Sequence, residues 1–226
     1  MSVFHPKLEV LYEDNHCLAV NKPSRVLTAG DRTGDVSMLE MARDYIRTKY
    51  DKPGKVYLGV VHRLDRPVSG VMLFARTSKA AARLSEQFRQ RTPIKIYQCL
   101  VEGNVQALSG TLIHWVRKDT IRNLVEVVES DAFDARQCVL QYRRLRRVGQ
   151  YTLLEVTLGT GRSHQIRVQL AHAGMPICGD KKYRSTVRLG GAIALHAASL
   201  TFEHPVRREL ITVTAPVPAA WQSQFN

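Results

Sequence analysis

The densest polar run of the chain is His62-Arg63-Leu64-Asp65-Arg66-Pro67-Val68-Ser69-Gly70, which sets one acid between two arginines. Flanking cations favour the carboxylate form that a nucleophile or general base requires. The same pattern describes an acid that neutralises two arginines and caps a turn, and residue types alone leave both readings open. Pro67 and Gly70 force a loop, so Asp65 hangs at the entry of the apolar run Val71–Ala75. A second run, Leu158-Gly-Thr-Gly-Arg162-Ser-His-Gln-Ile-Arg167, joins a strand end to a helix start. Its Gly159-x-Gly161 is no dinucleotide loop, because His164 holds the third glycine position and no strand–helix–strand unit surrounds it. Exposed amides at a helix start, with Arg162 and Arg167 beside them, suit a phosphate or the carboxylate of Asp65. His164 and His172 have no cysteine or acid between them to complete a ligand set, so no metal is expected and a hydrogen-bonding role is. A third element, Lys95-Ile96-Tyr97, is either ordinary sheet or an aromatic platform for a base taken out of its stack.

The elements that must carry these groups are mostly strands. Strand-like runs are read at Leu8–Tyr12, Cys17–Val20, Val71–Ala75, Ile96–Val101, Thr111–Val116, Leu124–Val128, Cys138–Arg143, Thr152–Leu158 and Leu210–Thr214. Three helices interrupt them. Ser37-Met-Leu-Glu40 is a capping box opening a helix to about Lys49, with Leu39, Ala42, Tyr45 and Ile46 on one face. Thr77/Ser78 caps a second, with Ala81, Leu84 and Phe88 as its apolar stripe. Ser163 is expected to cap a third, with Ile166, Leu170 and Ala173 inward and Gly174 as its stop. Strands outnumber helices and rarely alternate with them, which predicts an α+β fold on a mainly antiparallel sheet.

Composition narrows the partner. The 226 residues carry 33 Lys+Arg against 20 Asp+Glu, a net charge of +13 split as +6 and +7 between the two halves. The body is basic throughout, and its 23 arginines to 10 lysines favour planar, bidentate phosphate contacts. A polyanion is expected as partner, nucleic acid ahead of a membrane surface. No apolar run approaches the roughly 18–20 residues that span a bilayer, and Met1–Lys7 has no apolar stretch suited to a signal peptide. Cys17, Cys99, Cys138 and Cys178 are far apart and lack any C-x-x-C pair, as in a cytoplasmic protein without disulfides. Residues 143–149, Arg-Arg-Leu-Arg-Arg-Val-Gly, are either an RNA rim or a solvated hairpin end.

Taken together and in order, these segments resemble the RluA family of pseudouridine synthases. His62-Arg-Leu-Asp-x-x-x-Ser-Gly70 is similar to the signature around that family's catalytic aspartate. Gly161-Arg-Ser-His-Gln-Ile-Arg167, followed by Gly179-Asp180, resembles its later arginine motif; Asn21-Lys22-Pro23 resembles its early motif, and Lys95-x-Tyr97 its tyrosine region. The likeness runs from about Leu8 to Pro216. It implies a pseudouridine synthase fold, α+β, with a mixed, mostly antiparallel sheet, flanking helices and an RNA-binding cleft. It implies one catalytic domain over residues 1–226 with no S4-type RNA-binding domain, because the first strand begins by about Leu8.

The resemblance also implies roles. Asp65 attacks the target uridine or its sugar, without metal or cofactor; Arg167 pairs with this aspartate; Tyr97 packs on the base and assists proton transfer. Arg63 fills the stack that the uridine leaves. Lys22, Arg66, Arg162, Lys181 and Lys182 are candidates for phosphate contacts, which position RNA without reading its sequence. The substrate is expected to be tRNA or rRNA, with Arg66 after the aspartate resembling the tRNA-acting and compact members. A monomer with no obligatory protein partner is expected. Two rival classes stand beside this reading: a non-catalytic RNA-binding protein on the same scaffold, and a two-carboxylate hydrolase of nucleosides. The first has no need of an acid facing RNA; the second needs a further acid, and only Asp180, read as structural, is near a motif.

Overall fold

A computed structural model describes residues 7–31 and 33–221. The chain forms two compact units, Met1–Pro93 with Ala197–Pro216, and Ile94–His196 with Val217–Asn226.

The first unit is built from β1 (Glu9–Glu13), β2 (Cys17–Lys22), α1 (Met38–Lys49), β3 (Gly59–Val60), β4 (Ser69–Ala75) and α2 (Ser78–Gln90). The helix starts are those expected. Ser37 and Glu40 form the full capping box of α1, and the Thr77 side chain accepts from the Ala80 N–H to cap α2, a bond worth about 1 kcal/mol. Every residue of β4 is buried, which is why Val71–Ala75 reads as a continuous apolar run without alternation. β4 pairs antiparallel with β2 and with the short β3. Cys17 and Ala19, Val71, Leu73 and Ala75, and Ala80 and Leu84 of α2 share one core.

The second unit holds β5 (Ile94–Glu102), β6 (Ser109–Asp119), β7 (Leu124–Val128), β8 (Arg136–Val148), β9 (Tyr151–Leu158), α3 (Gln165–His172) and a 3-10 turn over Lys181–Tyr183. Its strands run in the order β5-β9-β8-β6-β7, each neighbour antiparallel. Val116, Val125, Cys138, Val168 and Tyr183 form a core beneath α3. The basic run 143–149 lies at the β8–β9 hairpin end, where a bulge falls between Arg144 and Arg146.

β10 (Leu195–Glu203) leaves the second unit after His196 and continues in the first, where β11 (Leu210–Thr214) pairs with it. Neither β3 nor β10 is anticipated by the sequence. β3 is only two residues long. In β10, the run His196-Ala-Ala-Ser199 dilutes the β-branched and aromatic character by which the other strands are read. The start of α3 also differs from expectation. His164, in the left-handed region at φ 50°, is the N-cap and makes no side-chain cap bond, while Ser163 is exposed. The Gln165 side chain ties down this corner instead, its Oε1 accepting from the Arg162 N–H at 3.0 Å and from the Thr160 hydroxyl at 2.7 Å. Gly174 lies just past the helix with φ 76°, as expected, but Ala173 is exposed.

Candidate active site

Asp65 sits in a turn held through His62, Leu64, Arg66 and Val68 within the first unit. On the entry side, His62 Nε2 accepts from the Leu73 N–H of β4 at 2.9 Å, and its ring stacks on Phe88 of α2 at 4.8 Å. Leu64 is buried, and Thr28 holds it twice: the Thr28 hydroxyl donates to the Leu64 carbonyl at 2.8 Å and accepts from its N–H at 3.2 Å. Val68 N–H closes the turn on the Asp65 carbonyl at 3.0 Å. On the exit side, the Arg66 carbonyl accepts from Arg25 N–H at 2.7 Å. Gly70 ends the loop at φ 115°, with its α-carbon so close to β10 that a Cβ would stand 2.3 Å from the Ala197 carbonyl oxygen. Only glycine fits there on both counts. Asp65 itself is half-buried, while Arg63 and Arg66 are exposed.

Lys22 corrects the sequence reading. A lysine among strand residues suggests a phosphate contact, yet Lys22 is wholly buried, and its ammonium donates to the carbonyls of Pro23 at 3.1 Å, Arg66 at 3.1 Å and Val68 at 2.6 Å. All three ammonium protons are spent on backbone, two of them on residues that follow Asp65. Burial pushes the Lys22 pKa down to about 7, against the pull of the Asp65 carboxylate and with the push of the Arg66 cation. Lys22 therefore clamps the Asp65 turn, and its buried ammonium has no proton left for a phosphate. Arg66 donates to the Arg25 carbonyl at 3.1 Å and pairs with Asp35 at 2.5 Å, an exposed pair that a phosphate can replace at little cost.

The second unit carries the other predicted groups. Tyr97, half-buried on β5, lies opposite Val156 of β9, and Lys95 shares its face two residues earlier. Arg167 is buried in α3 and is held bidentately by Asp180, Nε to Oδ2 at 2.6 Å and Nη2 to Oδ1 at 2.9 Å. Both side chains are nearly inaccessible, at 6% and 1%, so the pair is desolvated and fork-on-fork. Its guanidinium also lies over the Tyr183 ring at 5.0 Å. The Tyr183 oxygen accepts from the Val125 N–H at 3.0 Å and stands within hydrogen-bond distance of His164 Nδ1 at 2.7 Å. Gln165 Nε2 donates to the Val139 carbonyl at 3.0 Å. Of the arginine motif, then, His164, Gln165 and Arg167 are interior, while Arg162 and Ser163 face solvent. Lys181 and Lys182 are exposed, and Lys182 donates to the Asn123 carbonyl at 2.9 Å.

The predicted residues fall into two groups by unit. Lys22, Arg63, Asp65 and Arg66 belong to the first, and Tyr97, Arg162, Arg167, Lys181 and Lys182 to the second. Asp180, read from sequence as structural, holds Arg167 bidentately. Thr28 and Tyr183 are not marked out by sequence; the only trace of Tyr183 is an aromatic three residues after Asp180. Among the described residues, one group has ligand-type atoms within 4.8 Å of one another: Asp14, Cys17 and His204. These atoms are already engaged. His204 Nδ1 accepts from two backbone N–H groups, leaving Nε2–H to donate to Asp14 at 2.8 Å, and burial pushes the Cys17 thiol up to about 12. The group is a staple between strand ends. No helix among the described residues is long and apolar enough to cross a membrane.

Comparison with known proteins places this geometry. The chain is 36% identical over 229 residues to the ribosomal large subunit pseudouridine synthase D of Xylella fastidiosa, covering 93% of this chain and 66% of that protein. It thus spans about two thirds of that relative's length. It is 32% identical over 242 residues to the tRNA pseudouridine synthase C of Haemophilus ducreyi, covering 97% and 95% of the two chains. Its fold matches that of human RNA pseudouridylate synthase domain containing 4, with a TM-score of 0.78 at 22% identity over 95% of this chain and 90% of the other. The family model described as RNA pseudouridylate synthase matches residues 16–172, a span that takes in the Asp65 turn, Tyr97 and Arg167. The chain belongs to the RNA pseudouridylate synthase family, whose members are isomerases acting on RNA.

Proposed function

We propose that this protein converts uridine in structured tRNA or rRNA to pseudouridine in the cytoplasm as a monomer, with Asp65 as the group that attacks the target nucleotide. The N1–C1′ bond of the uridine breaks, the detached uracil turns, and a C5–C1′ bond forms; C5 gives up its hydrogen as a proton and N1 gains one. Atoms and electrons balance without an oxidant or a cofactor. The observation that carries this reading is the fixation of Asp65 in its turn, held from both sides by Thr28, Arg25 and the buried Lys22. A carboxylate whose backbone is fixed in this way keeps its aim while the uracil is free and rotating.

Arg167 is assigned to orient Asp65, and its own plane is set by Asp180 and Tyr183. Tyr97 is assigned to the target base. Arg63, exposed two residues before Asp65, is assigned to the gap that the extruded base leaves, offsetting an unstacking cost of a few kcal/mol. Arg66, Arg162, Lys181 and Lys182, all exposed, are assigned to phosphates.

The test uses RNA tritiated at uracil C5. Wild type releases tritium to water and Asp65→Asn does not, although it binds the RNA as well as wild type. Binding without release by either protein refutes the isomerase; free uracil as the product points to a hydrolase.

A further inference from the structure

We propose that the segment joining α1 to β3, residues 49–57, is a second RNA-binding surface of this protein, one that holds a single-stranded stretch of the substrate away from the reacting uridine. The inference rests on RNA being the substrate. The sequence here, Lys49-Tyr-Asp-Lys-Pro-Gly-Lys-Val-Tyr57, interleaves three lysines with two tyrosines. The tyrosines are two of the largest exposed apolar side chains of the first unit, Tyr50 at 44% and Tyr57 at 50%. Exposed aromatics among lysines are what a sequence-tolerant single-strand site requires, since every base offers a π-face and every nucleotide a charge.

The surface is built in advance. Tyr50 is held through its hydroxyl, which donates to Glu13 at 2.7 Å, and Lys49 and Tyr45 donate to the same carboxylate at 2.7 and 2.8 Å. Arg76 adds a fourth bond to Glu13 at 3.0 Å and lies over the Tyr50 ring at 4.8 Å. These bonds cost the ring its rotamer freedom at folding, so little entropy is left to lose on stacking. Lys52 and Lys55, in contrast, are exposed, and among the described residues no acid pairs with either. Asp51, in the left-handed region at φ 44°, and Gly54 at φ 82° bend the segment so that both its ends return to the far end of β4. Tyr50 meets Arg76, the residue after that strand, and Gly59, two residues past Tyr57, pairs with Ala75. The Asp65 turn enters β4 at its other end, Ser69. At about 3.3 Å per residue the two ends of this strand are about 20 Å apart. The surface therefore grips flanking RNA and leaves the chemistry untouched.

The test takes the full chain and a fluorescein-labelled oligouridylate as probe, read by anisotropy over a salt series, beside tritium release from C5-labelled RNA. Tyr57→Ala weakens oligouridylate binding about tenfold, and Tyr57→Phe restores it. Lys52→Gln with Lys55→Gln lowers the slope of log K against log salt by about 1.4, the share of two single-strand phosphates. All variants that weaken binding raise KM and leave kcat unchanged. Wild-type affinity and slope in these variants overturn the proposal, as does a wild type that fails to bind the probe. So does loss of binding to vesicles rich in anionic lipid while RNA binding is kept. A wild type that binds the probe but releases no tritium refutes the isomerase reading and leaves this surface standing.

Discussion

Replacing Lys22 by methionine separates the two contributions that a buried ammonium makes, one to stability and one to the Asp65 turn. Lys22→Met keeps the length of the side chain and removes its donors. The Arg66 carbonyl keeps its bond from Arg25, so the uncompensated losses fall on Val68 and Pro23. A buried carbonyl left without a partner costs about 1–3 kcal/mol, and the Val68 bond is the fully buried one. Against this stands the cost of holding a charge in the interior. The Lys22 pKa lies at about 7 in the fold and at 10.5 in the free side chain. In that interval the unfolded chain binds one more proton than the native one, so native stability rises with pH by about 1.4 kcal/mol per unit. Below pH 7 both states hold the proton and Lys22 adds no slope. Between pH 7 and pH 9 wild type thus gains about 2 kcal/mol that Lys22→Met does not, less than two full units of slope because Lys22 is still half protonated at pH 7. Urea unfolding at both pH values measures this directly as a stability gap that widens with pH. Asp65→Asn removes the charge that pulls the Lys22 pKa upward, so the rise begins at lower pH in that variant. In the tritium assay Lys22→Met loses tenfold or more in kcat with a smaller change in KM, because the turn that aims Asp65 loses its clamp. Stability curves of wild type and variant that stay parallel from pH 7 to pH 9 refute the assignment of the buried charge, and a wild-type kcat refutes the clamp.

Asp180→Asn leaves the Arg167 guanidinium buried without its carboxylate; a loss of about 3–5 kcal/mol is expected in urea unfolding, and the loss of tritium release exceeds what the unfolded fraction explains. Gly70→Ala forces a Cβ against the Ala197 carbonyl and a residue with a side chain to φ 115°, so it yields little soluble protein, whereas Ser69→Ala, one residue earlier, does not; expression with a thermal melt distinguishes them.

What could be read from the residues was whatever local chemistry decides. The capping box at Ser37 and the Thr77 cap start α1 and α2 where expected, because a cap is settled by atoms three residues apart. The long strands were located by alternation or by apolar runs, and the structure extends most of them by a residue or more at their ends, as in β8 from Cys138–Arg143 to Arg136–Val148. What escaped depends on partners remote in the chain. β10 is a strand because of the neighbours it pairs with, and its alanines carry no pattern that announces this. Lys22 looks like a surface residue until the carbonyls of Arg66 and Val68, more than forty residues on, surround it. Arg167 and Asp180 were both singled out but their pairing was not, since twelve residues of helix and loop lie between them.

The fate of the basic residues joins these cases. A net charge of +13 suggests a uniform affinity for polyanions, yet the cations nearest the family's motifs divide sharply by burial. Lys22 and Arg167 are interior, the first bonded to three backbone carbonyls and the second held bidentately by Asp180, and both lie within the span that the family model matches. Arg63, Arg66, Arg162, Lys181 and Lys182 are exposed, and the bonds of Arg66 and Lys182 are solvent-exposed ones that water or phosphate can exchange. A buried cation costs several kcal/mol to desolvate and is kept only where its geometry does something a hydrophobic residue cannot. Here that is to hold the turn of Asp65 in one case and to present an oriented guanidinium in the other. Salt is therefore expected to weaken RNA binding through the exposed set while leaving kcat, which depends on the interior set, unchanged.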